Sequence, residues 1–225
     1  MALILNLETA TTNCSVSIAR DGVTIAVKEH DTPNYSHAEQ LHVFIQEVLE
    51  KAQEQLSSLN AIAVSKGPGS YTGLRIGVSA AKGLCFSLNI PLISVDTLKS
   101  LATKTKSEDI DFIIPLLDAR RMEVYSKVFD AELNEIRETK AEIIDDKSFE
   151  DYLEKGKILL TGSGAQKCEE VISSPNLELD FQAVPSAKEM SALSFKKYIA
   201  QDFEDVAYFE PYYLKDFIRQ TKKSV

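Results

Sequence analysis

Residues 61–88 read AIAVSKGPGSYTGLRIGVSAAKGLCFSL, and this stretch narrows the choice of fold more than any other. It opens on AIAVS at 61–65, a short apolar run that predicts a buried strand. It then crosses GPGSYTGLRIG at 67–77, which holds four glycines. Beyond the glycines the spacing predicts a helix from about Thr72 to Leu88 with almost no polar side, since Leu74, Ile76, Val78, Ala80, Ala81, Leu84, Cys85, Phe86 and Leu88 point in nearly every direction around its axis. A helix of that kind must be covered on both sides. One side can lie on a sheet; the other needs a neighbouring helix or a second chain.

The segments on either side read as the same kind of architecture. Residues 2–8 and 14–20 predict strands, Asp21-Gly22 is a strong hairpin signal, and 23–29 returns as a third strand. Ser36 and Glu39 fit a capping box, and Leu41, Phe44, Ile45, Val48, Leu49 and Ala52 follow at helical spacing to about Gln53. PLISV predicts a strand whose end, Asp96, can cap another helix. The polar run 104–109 reads as a linker. After it DFIIPLLD, MEVYSKVF and 136–144 predict three more strands, with helices at 148–155, 164–173 and 186–200 and a strand at 157–161. Strands first and alternating helix and strand afterwards, twice over, predict an α/β chain of two lobes with mixed sheets.

The glycine loop has three chemical readings. A phosphate-binding P-loop needs GxxxxGK followed by Ser or Thr, and the chain holds no such run. A dinucleotide fingerprint needs GxGxxG, whereas Gly67, Gly69 and Gly73 are spaced GxGxxxG with Pro68 inside the turn. The remaining choices are close packing of a helix on a neighbouring backbone, or an anion loop at a helix start formed by Gly67, Gly69, Ser70, Thr72 and Gly73, with the two hydroxyls as extra donors.

Composition limits the partners. The net charge is −9 over 225 residues, so the chain is ill suited to grip RNA by itself. The basic tail with Lys215, Arg219, Lys222 and Lys223 reads as a solvated end. Three scattered cysteines, Cys14, Cys85 and Cys168, suggest reduced thiols in a cytoplasmic protein. The apolar N-terminus lacks a preceding basic region and reads as a strand, not a signal peptide, and no apolar stretch approaches a membrane span. His30, His37 and His42 are the only histidines; the last two lie on different sides of one helix and share no ligand, so they read as exposed or capping residues. Ser70, Thr72 and Cys14 have no evident histidine partner for nucleophilic catalysis.

Taken together, LETATTNCSVSIARDG, YSHAEQL, GPGSYTGLRIGVSAAKGL, PLISVDTL, LLDARRMEVY and the late PYYL resemble the TsaB (YeaZ) family, and they span most of the chain. The resemblance implies an actin-like ATPase fold of the RNase H-like type, with an N-terminal lobe at 1–105 and a smaller α/β lobe at 106–225. It implies a role in forming N6-threonylcarbamoyladenosine beside the anticodon of tRNA, as a non-catalytic subunit of the transferase TsaD, with a TsaE-type ATPase as a further partner. TsaD enzymes carry HxxxH where this chain has Thr97 and Leu101, which implies no metal and no catalytic residue of its own. Many actin-like ATPases have Asp at the end of the first strand; Glu8 stands there and reads as a capping or packing residue, which argues against independent ATP hydrolysis. On this reading the helices at 37–53 and 72–88 dock on TsaD through Leu41, Ile45, Leu74 and Val78 with Arg75 as a polar anchor, the chain pairs with itself when alone, ATP or ADP sits at the partner interface if it binds at all, and tRNA is met only indirectly. The alternatives are a self-sufficient nucleotide hydrolase or an M22 glycoprotease-like hydrolase, and a nicotinamide-dependent oxidoreductase using Gly67 to Gly73.

Overall fold

The computed structural model describes residues 1–33, 37–107 and 109–214. Strand β1 (Leu3–Glu8) is the centre of the first sheet and is buried along its whole length. It pairs antiparallel with β2 (Asn13–Arg20), which turns through Asp21 and Gly22, both at positive φ, into β3 (Val23–Asp31). That turn is what the Asp-Gly pair predicts, since Gly tolerates left-handed backbone and Asp does so better than most. On the other side β1 pairs in parallel with β4 (Ala61–Gly67), and β4 with β5 (Leu92–Asp96). Helix α1 (His37–Ala52) connects β3 to β4, and α2 (Tyr71–Leu88) connects β4 to β5. The capping-box Ser36 lies outside the described residues.

Period-two alternation assigns the two faces of this sheet. Leu3, Leu5 and Leu7 join Leu41, Phe44, Val48, Val78, Ala81 and Cys85 in a core under α1 and α2. Ile4 faces the opposite way, with Ala63, Ile93 and Val95, and is covered by Ala187 and Met190 of the last described helix. Helix α3 (Thr97–Lys104) starts on its Asp96 cap, whose side chain accepts from Lys99 N at 3.1 Å.

The second sheet repeats the first. β6 (Phe112–Asp118) is central, pairs antiparallel with β7 (Glu123–Asp130) and through it with β8 (Glu135–Ile143), and pairs in parallel with β9 (Ile158–Thr161), which pairs with β10 (Leu177–Asp180). Both sheets therefore run 3-2-1-4-5 in their own strand numbering. This duplicated arrangement gives the two α/β lobes with mixed sheets that the sequence predicts. The helices of the second copy have shrunk. α4 is Glu150–Leu153 and the counterpart of α2 is a 3-10 turn at Ala165–Cys168, so the helices expected at 148–155 and 164–173 are shorter than their spacing implies. The second is pressed onto β6 at Gly164, where a Cβ would lie 2.9 Å from Leu116 Cβ. β10 is a strand that the sequence pattern does not predict.

The lobe boundary needs correction. The chain leaves the first sheet near residue 105, as expected, but α5 (Ala187–Ile199) returns to that sheet and packs on β1, β2, β3 and β5. The segment 106–225 is therefore not one lobe. α3 makes the opposite exchange, placing Leu98, Leu101 and Ala102 against the second sheet. α5 is joined to its sheet by a polar seam as well as by its apolar residues: Ser17 Oγ donates to Ala187 O at 2.7 Å, Ser194 Oγ to Asn6 Oδ1 at 2.6 Å, and Ser186 Oγ to Glu29 Oε2 at 2.6 Å. Lys127 of β7 adds a cross-lobe ion pair with Asp96 at 2.7 Å. Burial works against the Lys127 charge, but Asp96 and Glu135 outweigh it and hold the ammonium above its ordinary value.

Candidate functional site

The glycine loop is seated on the turn between β1 and β2, and the turn fills the space that the glycines leave. A Cβ on Gly73 would overlap Thr9 O, one on Gly77 would overlap Thr9 Oγ1, and one on Gly69 would come within 2.7 Å of Ala10 Cβ. Two hydrogen bonds lock the contact: Ser70 N donates to Ala10 O at 2.6 Å, and Thr9 Oγ1 donates to Gly73 O at 2.8 Å. Ser70 is the N-cap of α2 and accepts from Gly73 N at 3.3 Å. Gly67 ends β4 at φ +105° and donates its N–H to Thr97 Oγ1 at 3.1 Å. The expected anion loop at Gly67, Gly69, Ser70, Thr72 and Gly73 is thus corrected: backbone of the neighbouring turn occupies the approach at Gly69 and Gly73, and donors at Gly67, Ser70 and Gly73 already have protein acceptors. Thr72 alone of the five is exposed.

The second lobe contains the same device. Gly162 follows β9 at φ +102°, and Gly164 N donates to Leu116 O at 2.9 Å. A GxG step after a parallel strand, lying on the central strand or its turn, is a construction detail of both halves.

Under the turn lies Glu8, fully buried at the end of β1. Its Oε1 accepts from Ala10 N at 2.6 Å, and its Oε2 has no hydrogen-bond partner. Burial pushes its carboxyl up to about 7, against the opposing effect of Ala10, Ser65 and Thr9. The turn also reaches α1: His37 is buried, and its Nε2 lies 2.8 Å from Thr11 O. Burial holds that imidazole below its ordinary value. His37 is therefore a packing residue between turn and helix, which the sequence reading took for exposed or capping. His30 and His42 are exposed. Thr97 is buried, and Leu101 lies in an apolar cluster with Leu98 and Leu117. The three cysteines are buried free thiols, pushed up by burial to about 11 for Cys14 and about 12 for Cys85 and Cys168. Among the described residues no group of three or more His, Cys, Asp or Glu side chains converges as a metal site, and no helix is long and apolar enough to cross a membrane.

The two helices expected to dock present a different surface from the expected one. Leu41, Ile45, Leu74 and Val78 are at most 5% exposed and belong to the core or its wall, so they cannot touch a partner directly. The reason is the helical stripe: Leu74, Val78, Ala81 and Cys85 follow one another at spacings of three and four and face the sheet. Ile76, Ala80 and Leu84, at spacings of four, lie on another side. With His42, Ser79 and Gly83 they line a groove of about 380 Å³ between α1 and α2. Phe86 is 84% exposed and Val43 51%, so this outer face carries uncovered apolar surface. The sequence held the signal, since the second i, i+4 row of α2 is as regular as the first; only the sheet decides which row is inside.

Arg75 is exposed, as a polar anchor would be, but it is engaged within the chain. Its guanidinium lies 4.0 Å from the centre of the Tyr71 ring, and Nε donates to Tyr213 Oη at 3.1 Å. Residues 204–213 strap the outside of this lobe: Glu204 N donates to Leu92 O at 2.9 Å, Lys82 Nζ to Phe209 O at 3.0 Å, and Tyr212 N to Lys66 O at 2.7 Å. The basic residues of the tail lie outside the described residues.

Comparison with known proteins agrees with this frame. The family model described as TsaD, tRNA N6-adenosine threonylcarbamoyltransferase, matches residues 33–224. The tRNA threonylcarbamoyladenosine biosynthesis protein TsaB of Escherichia coli (strain K12) is 28% identical over 227 residues, which cover 97% of each chain. The protein of the same name from Bacillus subtilis (strain 168) is 35% identical over 127 residues, 56% of this chain and 54% of that one. The crystal structure of YeaZ from Pseudomonas aeruginosa superposes with a TM-score of 0.84 at 26% identity, covering 95% of this chain and all of the other. The tRNA N6-adenosine threonylcarbamoyltransferase of Bacillus subtilis shares 34% identity over 107 residues, 41% of this chain and 31% of that one. The matches to the TsaB of Escherichia coli and to YeaZ run the length of the fold, whereas the Bacillus subtilis transferase matches 41% of this chain; the chain belongs to the TsaD family and, within it, to the TsaB (YeaZ) group.

Proposed function

We propose that this chain is a non-catalytic subunit that docks on a TsaD-type transferase through the outer face of α1 and α2 and supports transfer of threonylcarbamoyl to adenosine of tRNA. The observation that carries the reading is the groove lined by Ile76, Ala80 and Leu84, on a helix that also exposes Phe86. An uncovered apolar face of this kind favours association, because covering it removes apolar surface from water. Leu101 supports the non-catalytic part, since an aliphatic side chain in an apolar cluster cannot act as a metal ligand at the place where TsaD enzymes have histidine. The net charge of −9 supports a purely indirect contact with tRNA. In this reading the chain works in the cytoplasm, a TsaE-type ATPase joins the assembly, any ATP or ADP is held at the partner interface, and the same face pairs two copies when the transferase is absent.

The test uses Ala80→Asp, which puts a charge into the groove at a half-exposed site. Calorimetric affinity for the TsaD-type transferase falls by roughly 100-fold, the order of a lost interface contact of about 3 kcal/mol, while the isolated chain loses only about 1 kcal/mol in urea, the order of the helix-propensity cost of Asp for Ala. Threonylcarbamoyl transfer by the mixture falls in parallel. Unchanged affinity would refute the docking face. Multiple turnovers of ATP or peptide by the pure chain would refute the non-catalytic role.

A further inference from the structure

One group under the docking helices has no role in the reading above. Glu8 is a fully buried carboxyl that ends the central strand, holds Ala10 N with one oxygen, and leaves the other without a partner. The residues just beyond it are the seat of both helices. Thr9 and Ala10 carry the first turn of α2 through the bonds from Ser70 N and to Gly73 O, and Thr11 O holds His37, the first residue of α1.

We propose that Glu8 is a proton-linked positioning residue for the α1–α2 face: protonated, it holds the 9–12 turn firmly under both helix ends, and on losing its proton it loosens that turn and weakens docking. A protonated carboxyl can leave Oε2 unpaired at modest cost, whereas an anion in the same place carries its charge in a dry site. The neighbours compensate it only in part: the Ala10, Ser65 and Thr9 donors favour the anion, and burial outweighs them. From β2 the Cys14 thiol, itself pushed up to about 11, faces it as a neutral group. From β4 the neighbour is the Ser65 hydroxyl, and from within β1 and its turn the neighbours are backbone amides of Thr9 and Ala10. α2 offers backbone at Gly73, and α1 offers His37, which burial holds below its ordinary value. Among the described residues no lysine or arginine forms an ion pair with Glu8. The sign follows from the raised value: stability from the neutral form is complete below the ordinary carboxyl range near 4.5 and is lost as pH rises through about 7.

The inference rests on the proposed docking only for its second readout, and the experiment separates the two. Hydrogen exchange at the Ser70 and Gly73 amides of the isolated chain, corrected for intrinsic pH dependence, is followed from pH 6 to pH 8 in the wild type and in Glu8→Gln, which is neutral at every pH. Protection falls in the wild type and stays level in the variant. Affinity for the TsaD-type transferase, expressed as the ratio of wild type to Glu8→Gln so that the partner's own titration cancels, drops roughly tenfold over the same range, the effect of one pKa unit of linkage. Should Glu8→Gln fold poorly, the 13C shift of the Glu8 carboxyl in the wild type supplies the titration directly. Level protection in the wild type, or a carboxyl already ionised at pH 6, overturns the proposal. A flat affinity ratio with falling protection also overturns it, by cutting the turn from docking. Falling protection with no binding at any pH leaves the proton-linked turn intact and refutes the docking reading instead.

Discussion

Glycines at 69, 73 and 77 show how single positions set this structure. Each stands where a backbone or hydroxyl of the first turn comes too near for any side chain. Gly83 belongs to the same helix but has open space around its missing Cβ. The two kinds of glycine respond oppositely to alanine. Gly73→Ala costs about 1–3 kcal/mol, because displacing Thr9 O outweighs the better helix propensity. Gly83→Ala gains about 1 kcal/mol, since propensity acts alone there. Urea unfolding of the isolated variants measures both, and a stabilised Gly73→Ala would contradict the packing of the turn. The sequence showed that the glycines were there and that no known phosphate fingerprint fits them. It did not distinguish the packed ones from the open one, since that depends on which backbone approaches from 60 residues away.

α1 and α2 illustrate what periodicity can and cannot settle. α2 begins and ends almost where its spacing predicts, at Tyr71 and Leu88, closed by Asn89 at φ 54°. α1 likewise runs to Ala52. The existence of both elements follows from local chemistry: regular apolar rows in each, and for α2 an N-cap serine and a left-handed asparagine. Which row is buried does not follow, because α2 has apolar rows on more than one side. Hence Leu74 and Val78, expected at a partner, are in the core. Val78→Asp is accordingly a folding variant and not an interface variant. It loses roughly 3 kcal/mol or more, as a charge placed in a packed core without a partner does, and its thermal midpoint drops along with any binding. A Val78→Asp chain of normal stability would restore the earlier assignment.

The two sheets share one topology, and the chain joins them by exchanging helices: α3 leaves the first lobe for the second sheet, and α5 comes back to the first. A fragment of residues 1–105 therefore lacks the cover for Ile4, Ala63, Ile93 and Val95. Expressed alone it shows no cooperative melting and binds hydrophobic dye, whereas the full chain unfolds cooperatively; a cooperative fragment would mean that α5 is dispensable to the first lobe. From the amino-acid order alone came the α/β class, most strands, the chief helices, the hairpin at Asp21-Gly22 and the family resemblance, all of which rest on interactions within a few residues or on motifs carried in order along the chain. Only the tertiary structure decided that the glycine loop is filled by the first turn, that the groove and not the buried row of α2 faces outward, that His37 and Glu8 are interior, and that the last described helix belongs to the first lobe. Those outcomes depend on which distant surfaces meet, and burial is a property of the pair in contact and not of either sequence segment by itself.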